Sequence, residues 1–147
     1  MNLDFSDEQK QLRDQVRRFL AEKCPPEAVR TILEGDERYD KSLYAGLAEM
    51  GLLGAAIPEE YGGVGLGQLE LCVVAEELGR VLAPVPVSSS IYLAAEFLLL
   101  AGADTQKAEW LPKLASGEAI GTFALSEGQG RAGPDKIAAS VKGGKLS

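Results

Sequence analysis

The sequence predicts a mostly α-helical chain, an up-down bundle of about six helices followed by the start of a β domain. Three observations predict it. Apolar residues recur at helical spacing in successive segments as far as Leu114. Prolines and glycines separate those segments at Pro25-Pro26, Gly35, Gly51, Pro84 and Pro86. After Gly117 the pattern changes to short apolar runs broken by glycines, the signature of strands and turns. The expected division is a helical domain over residues 1–118 and the incomplete beginning of a β domain over 119–147.

Each element has a local cause. Ser6 with Gln9 forms a capping box, and Asp7 and Glu8 suit the positive end of the first helix. Leu12, Val16, Phe19 and Leu20 make its apolar stripe, which Pro25 and Pro26 end. Val29, Ile32 and Leu33 give a short second helix an inward face, with Gly35 as its stop. Asp40 caps a third helix that carries Leu43, Leu47 and Met50 and closes at Gly51. A connector with Pro58 leads to the crowded glycines of residues 62–67, a tight turn between helices. A fourth helix runs from about Gln68 to Leu82, with Leu71, Ala75, Leu78 and Leu82 on one side. Ser88, Ser89 and Ser90 lead into a fifth, Ile91 to Ala101, apolar nearly all round and therefore expected at the buried centre. Asp104 caps the sixth, with Trp110, Leu111 and Leu114 on one face.

The tail follows different rules. Ile120 to Leu125 suits a partly buried strand, and Ile137 to Val141 a second. Lys142-Gly143-Gly144-Lys145 reads as a hairpin turn. Two strands do not make a stable sheet alone, so the chain is expected to stop inside a β domain.

Composition excludes several functions. A net charge of −7 argues against nucleic-acid binding, although the last seventeen residues are locally basic. With no histidine, a Ser-His-Asp triad and histidine-ligated zinc are impossible within this chain. Cys24 and Cys72 lack metal spacing and follow no secretory signal, so reduced thiols in the cytoplasm are expected. Ile91 to Ala103 contains Glu96 and is too short to span a bilayer, so no membrane partner is expected. Gly128-Gln129-Gly130-Arg131-Ala132-Gly133 matches a dinucleotide-binding pattern. Pro134 and a strand follow it where a long helix would be needed, so that reading is set aside.

Four segments, in order, resemble the acyl-CoA dehydrogenase family. They are Phe5-Ser6-Asp7-Glu8-Gln9, Ile57-Pro58-Glu59-Glu60-Tyr61-Gly62-Gly63, Gln106-Lys107 with Trp110-Leu111-Pro112, and Phe123-Ala124-Leu125-Ser126-Glu127. The resemblance implies an FAD-dependent enzyme of three parts: N-terminal helices, a middle β domain and C-terminal helices. It would oxidise an acyl-CoA thioester to the 2,3-enoyl-CoA and pass electrons to an electron-transfer flavoprotein, as a homo- or hetero-oligomer. By position, Phe123, Leu125 and Ser126 would face the flavin, with the Ser126 hydroxyl in place of the family's usual threonine. Ser89, Ser90 and Tyr92 would line the acyl pocket, and three serines there suit a shallow or polar acyl group. Ala132 stands where the family has a CoA-binding serine, and Arg131 offers a phosphate-binding cation instead.

The family's catalytic glutamate is expected outside these residues. Glu127 is expected to pair at its own loop, and Glu59, Glu60, Glu76, Glu77 and Glu96 to be solvated or capping, so no catalytic or metal-binding residue is assigned and the isolated chain is expected to be inactive. Two alternatives remain open. One is a flavin monooxygenase or nitroalkane oxidase of the same fold. The other is a non-catalytic helical partner of a heteromeric dehydrogenase, which an exposed apolar face on the fifth helix would favour.

Overall fold

The computed structural model describes residues 4–127, 129 and 133–147. Ser6 starts the fold: its hydroxyl accepts from the Gln9 amide at 3.2 Å, and the Gln9 carboxamide accepts from the Ser6 amide at 2.9 Å. Helix α1 (Asp7–Lys23) buries Val16 and Leu20, with Leu12 and Phe19 packed alongside. Helix α2 (Pro26–Glu34) stops at Gly35 as expected. Its inward face is narrower than predicted: Leu33 is 83% exposed, because nothing packs over the last turn of this short helix.

Helix α3 (Lys41–Glu49) begins where the Asp40 carboxylate accepts from the Leu43 amide at 2.9 Å. It buries Leu43, Tyr44 and Leu47, while Met50 lies past its end and is exposed. Residues 54–66 then fold back on themselves. Val64 N–H donates to Gly54 O, Gly65 N–H to Ile57 O and Leu66 N–H to Ala55 O, at 2.7–2.9 Å.

Helix α4 (Gln68–Arg80) packs against α1. Arg17 on α1 grips Glu77 on α4 through two hydrogen bonds of 2.6 and 2.9 Å. Arg80 adds a contact at 3.2 Å. Glu77 was expected to be solvated or capping and is instead 1% exposed, because the helix–helix seam passes over it and the arginines supply what water would.

Leu82 is also displaced from its expected place. It lies beyond α4 with φ +53° and is 74% exposed. Ala83 N–H reaches Leu78 O at 3.0 Å and Leu82 N–H reaches Gly79 O at 3.1 Å, the helix-terminating pattern that glycine usually occupies. The left-handed conformation costs a β-carbon residue about 1–2 kcal/mol. Leu82→Gly is therefore expected to stabilise the chain by about 0.5–1 kcal/mol after glycine's extra entropy loss is counted. Urea denaturation checks this, and Leu82→Ala, which keeps the Cβ, should give no gain.

The fifth helix departs most from expectation. Residues Ser88–Ala95 are π-helical and run directly into helix α5 (Glu96–Ala101). Ile91 and Ala95 enter the core, but Leu93, Phe97 and Leu100 are exposed, Leu100 by 78%. The helix is a wall with an uncovered apolar side, not the centre of the bundle. Helix α6 (Asp104–Ala115) has Ala103, not Asp104, at its N-cap, and the Gln106 carboxamide accepts from Ala103 N–H at 2.9 Å. Leu111 and Leu114 are buried, whereas Trp110 is half exposed with the Lys113 amine 4.8 Å from its ring centroid.

Residues 120–125 form no strand ladder, since no described strand pairs with them. The hairpin is present: β1 (Val141–Lys142) pairs antiparallel with β2 (Lys145–Leu146), and Gly143 and Gly144 both take positive φ. Its pairing starts at the end of the predicted run, because the amides of Ala138 and Ala139 are taken by Glu127. Both cysteines are free, Cys24 buried and Cys72 exposed.

Candidate functional site

The helix Ser88–Ala101 stands between two surfaces; it carries Ser89, Ser90 and Tyr92, and Phe123 packs against it. The first surface is the segment 119–126. Gly121 N–H donates to the fully buried Ser90 hydroxyl oxygen at 3.1 Å. A Cβ on Gly121 would lie 2.5 Å from the Ala94 Cβ, so only glycine lets the segment sit this close to the helix. Two residues on, the Phe123 ring packs against Phe97, with centroids 4.8 Å apart. These contacts fix the segment, and from Thr122 to Ser126 its backbone N–H and C=O groups find no partner among the described residues. Phe123, Leu125 and Ser126 are exposed. The edge thus offers a row of free donors and acceptors to a flat polar ligand, with the Ser126 hydroxyl at its end. Glu127 closes the edge, its carboxylate accepting from Ala138 N–H at 2.6 Å and Ala139 N–H at 3.1 Å. Glu127 is paired, as expected, but with amides of the run expected as the second strand and not at the adjoining loop.

The second surface is a groove between α4 and the π-helical stretch. Stretches of this kind are rare and cluster at functional sites, because the widened turn re-aims side chains. Here Ala94 and Phe97 face the extended segment, while Tyr92 and Glu96 face α4. Ser89 donates its hydroxyl to Pro86 O at 3.2 Å, and Ser90 is engaged by Gly121. The polarity of both serines is therefore spent inside the protein, and the groove is walled mainly by Leu71, Ala75, Leu78 and Val87. The α4 wall was not foreseen from sequence. Its signal is a stripe of small or polar residues, Gln68, Cys72, Ala75 and Gly79, at helical spacing alongside Leu71 and Leu78.

Tyr92 is the electrostatic oddity of the groove. Its hydroxyl oxygen is buried and has no hydrogen-bond partner. Burial, aided by the neighbouring Cys72, pushes its pKa up to about 12. Burial also raises the Tyr44 phenol. That hydroxyl too lacks a well-formed hydrogen bond, though Ser90 lies close enough to offset part of the shift.

An unpaired buried hydroxyl costs about 1–3 kcal/mol, so Tyr92→Phe is expected to leave stability unchanged or raise it by about 1 kcal/mol. The pH dependence has a definite sign. Between the ordinary tyrosine value of 10.0 and about 12, the unfolded chain ionises at Tyr92 and the folded chain does not. Stability is therefore intact below that window and falls as pH rises through it. Thermal melts across the alkaline range should show a shallower loss for Tyr92→Phe.

Arg131 and Ala132, with Gly128 and Gly130, lie outside the described residues. No group of three or more metal-ligating side chains occurs among the described residues, and no helix is long and apolar enough to cross a membrane.

Residues 6–118 match the family model for the acyl-CoA dehydrogenase N-terminal domain. The chain belongs to the acyl-CoA dehydrogenase family. It is 43% identical over 124 residues to (2S)-methylsuccinyl-CoA dehydrogenase of Cereibacter sphaeroides, covering 84% of this chain and 22% of that protein. Among solved structures it resembles the ChsE4-ChsE5 complex of Mycobacterium tuberculosis with a TM-score of 0.85 and 32% identity, over 99% of this chain and 39% of that one. An acyl-CoA dehydrogenase complexed with FAD from Bacillus anthracis gives a TM-score of 0.74 and 32% identity, over 84% and 21% of the respective chains. The chain thus spans between a fifth and two fifths of the length of these relatives.

Proposed function

We propose that this chain forms the N-terminal helical domain (residues 1–118) and the opening β segment (119–147) of an FAD-dependent acyl-CoA dehydrogenase. The observation that carries the proposal is the 122–126 backbone, unpaired yet held against the helix by Gly121–Ser90 and Phe123–Phe97. A free backbone edge beside an apolar wall suits the rim of a flavin ring. Phe123, Leu125 and Ser126 would hold it, through backbone groups and the Ser126 hydroxyl. When bound, FAD supplies a two-electron acceptor for hydride from the acyl β-carbon. The chain's own part is to orient the ring edge and to enclose an acyl group against α4, away from water.

No carboxylate here is assigned as the base that removes the α-proton. Glu127 is held by two backbone amides and Glu77 by two arginines. We assign that base to residues outside this chain, with an electron-transfer flavoprotein as acceptor and the cytoplasm as the compartment. Arg131 would meet a CoA phosphate, with Ala132 beside it. A short branched acyl group, as named for the methylsuccinyl-CoA relative, is the favoured substrate class.

A second reading is favoured by Leu93 and Leu100, which leave apolar surface of the fifth helix exposed. It makes the chain a partner subunit that completes a heteromeric dehydrogenase.

The deciding test is a visible spectrum of the purified chain after incubation with FAD and desalting, with intact mass measured alongside. A retained flavin band supports a cofactor edge within these residues. A colourless chain that gains flavin only with a co-purifying polypeptide supports the partner reading. A colourless chain under both conditions overturns flavin binding by this chain.

A further inference from the structure

We propose that helix α2 opens and closes as a unit while the rest of the chain stays folded, and that each opening bares the otherwise buried Cys24. The proposal is independent of flavin and of any acyl group.

Only apolar contact holds α2 in place. Val29 packs against the core from a partly buried position, Leu33 is exposed, and no residue of the helix is fully buried. Among the described residues no hydrogen bond or ion pair joins Pro26–Glu34 to another element. The one side-chain bond in α2, from the Thr31 hydroxyl to Glu27 O at 2.9 Å, stays within the helix. Helix α1 is fastened differently, by the Arg17–Glu77 grip on α4. Beside α2 a groove of about 470 Å³ separates Ala28, Thr31 and Ile32 from Glu37, Tyr39 and Asp40. Few buried contacts and an uncovered flank mark the parts of a fold that open most easily.

The ends of the segment confine that opening. A helix of nine residues is too short to persist in water by itself, so α2 melts once Val29 leaves the core. Pro25 and Pro26 carry no amide hydrogen, which isolates α2 from the hydrogen-bond ladder of α1. That ladder ends at Cys24, whose N–H donates to Leu20 O at 2.8 Å. No side chain caps the start of α2, and Gly35 at its other end is extended. Beyond it Asp40 is fixed, its N–H donating to Pro84 O at 2.8 Å and its carboxylate accepting from Leu43 N–H. Residues 25–39 can therefore leave the surface with both flanks held. Cys24 lies where those flanks meet: it closes α1, and burial and the Asp40 charge both raise its thiol pKa.

Cys24 reports the opening directly. Cys72 is exposed and is replaced by Ala, so that Cys24 is the one remaining thiol. The chain is treated with excess N-ethylmaleimide from zero urea upward, and alkylation is followed by intact mass while circular dichroism follows global unfolding. Without urea, alkylation is expected at least about tenfold faster than the global unfolding equilibrium allows, and nearly flat at low urea because little surface is exposed on opening. Arg30→Gly alters an exposed side chain within α2 and should speed alkylation about threefold, the effect of a helical glycine. Val74→Ala, in the core on α4, should lower the urea midpoint and leave alkylation at zero urea unchanged. Hydrogen exchange on the unaltered chain gives a second reading, with the amides of residues 29–34 exchanging together and at least about tenfold faster than those of α1 and α3. Alkylation that follows global unfolding at every urea concentration, or amides of α2 that exchange no faster than those of α1, would overturn the proposal.

Discussion

Gly63→Ala is expected to destabilise the chain by about 3 kcal/mol or more, at the upper end of what overpacking costs. A β-carbon there would lie 1.9 Å from the Ile57 carbonyl oxygen and 2.4 Å from its carbonyl carbon. Neither atom can retreat. Ile57 is buried, and its oxygen already accepts from Gly65 N–H at 2.9 Å. Gly63 N–H is itself tied to Pro58 O at 3.1 Å, so the loop cannot open on the other side without losing that bond. Gly79→Ala is the matched control: nothing lies within 4 Å of its added carbon, and it sits within α4. That change should stabilise by about 0.5–1 kcal/mol through helix propensity. Urea midpoints of the two variants should move in opposite directions. Equal midpoints would show that the 54–66 loop is looser than its hydrogen bonds imply.

The second large effect is at Glu77. Hydrogen bonding from Arg17 holds this carboxyl below its ordinary value of 4.5, with the nearby positive charges of Arg17, Arg80 and Arg13 adding to it and burial opposing it. The folded carboxyl releases its proton at lower pH than the unfolded one. The stability it contributes is therefore present above 4.5 and lost as pH falls below that value. Glu77→Gln keeps an acceptor for Arg17 and removes a buried charge, so it should cost only about 1–2 kcal/mol at neutral pH. It should also flatten the acid limb of the stability curve. Arg17→Met should cost more than Glu77→Gln, because it leaves the carboxylate buried with Arg80 as its remaining contact. Denaturation of both variants at neutral and acid pH checks the ranking. The reverse order would mean that water reaches Glu77.

The candidate site was legible only in part. Phe123 to Ser126 could be picked out because the chain changes period there and because the segment resembles a flavin-facing strand. The role of Ser90 could not be read, since its hydroxyl meets an amide 31 residues away. Tyr92 was visible as a candidate, but the groove it lines is made with α4, whose small residues read as an ordinary helix face. The α1–α4 clamp was missed for the same reason. Arg17 and Glu77 are 60 residues apart, and each alone resembles a solvated surface charge.

The sequence by itself determined what depends on neighbours a few positions away. Ser6 with Gln9, Asp40, the α1 and α3 stripes and the Lys142–Lys145 turn are all set by bonds or periodicity within one turn of helix or one hairpin. It also determined the family, whose N-terminal domain model matches residues 6–118. Only the tertiary structure decided which apolar faces are covered. Leu33, Leu82 and Leu100 look as apolar in sequence as Leu20 or Leu111, yet the first three are exposed and the last two buried. Periodicity shows that a helix has an apolar face, whereas burial depends on what the rest of the chain places against it. The same holds for residues 120–125, whose side chains suit a strand and whose backbone has no described neighbour with which to form one.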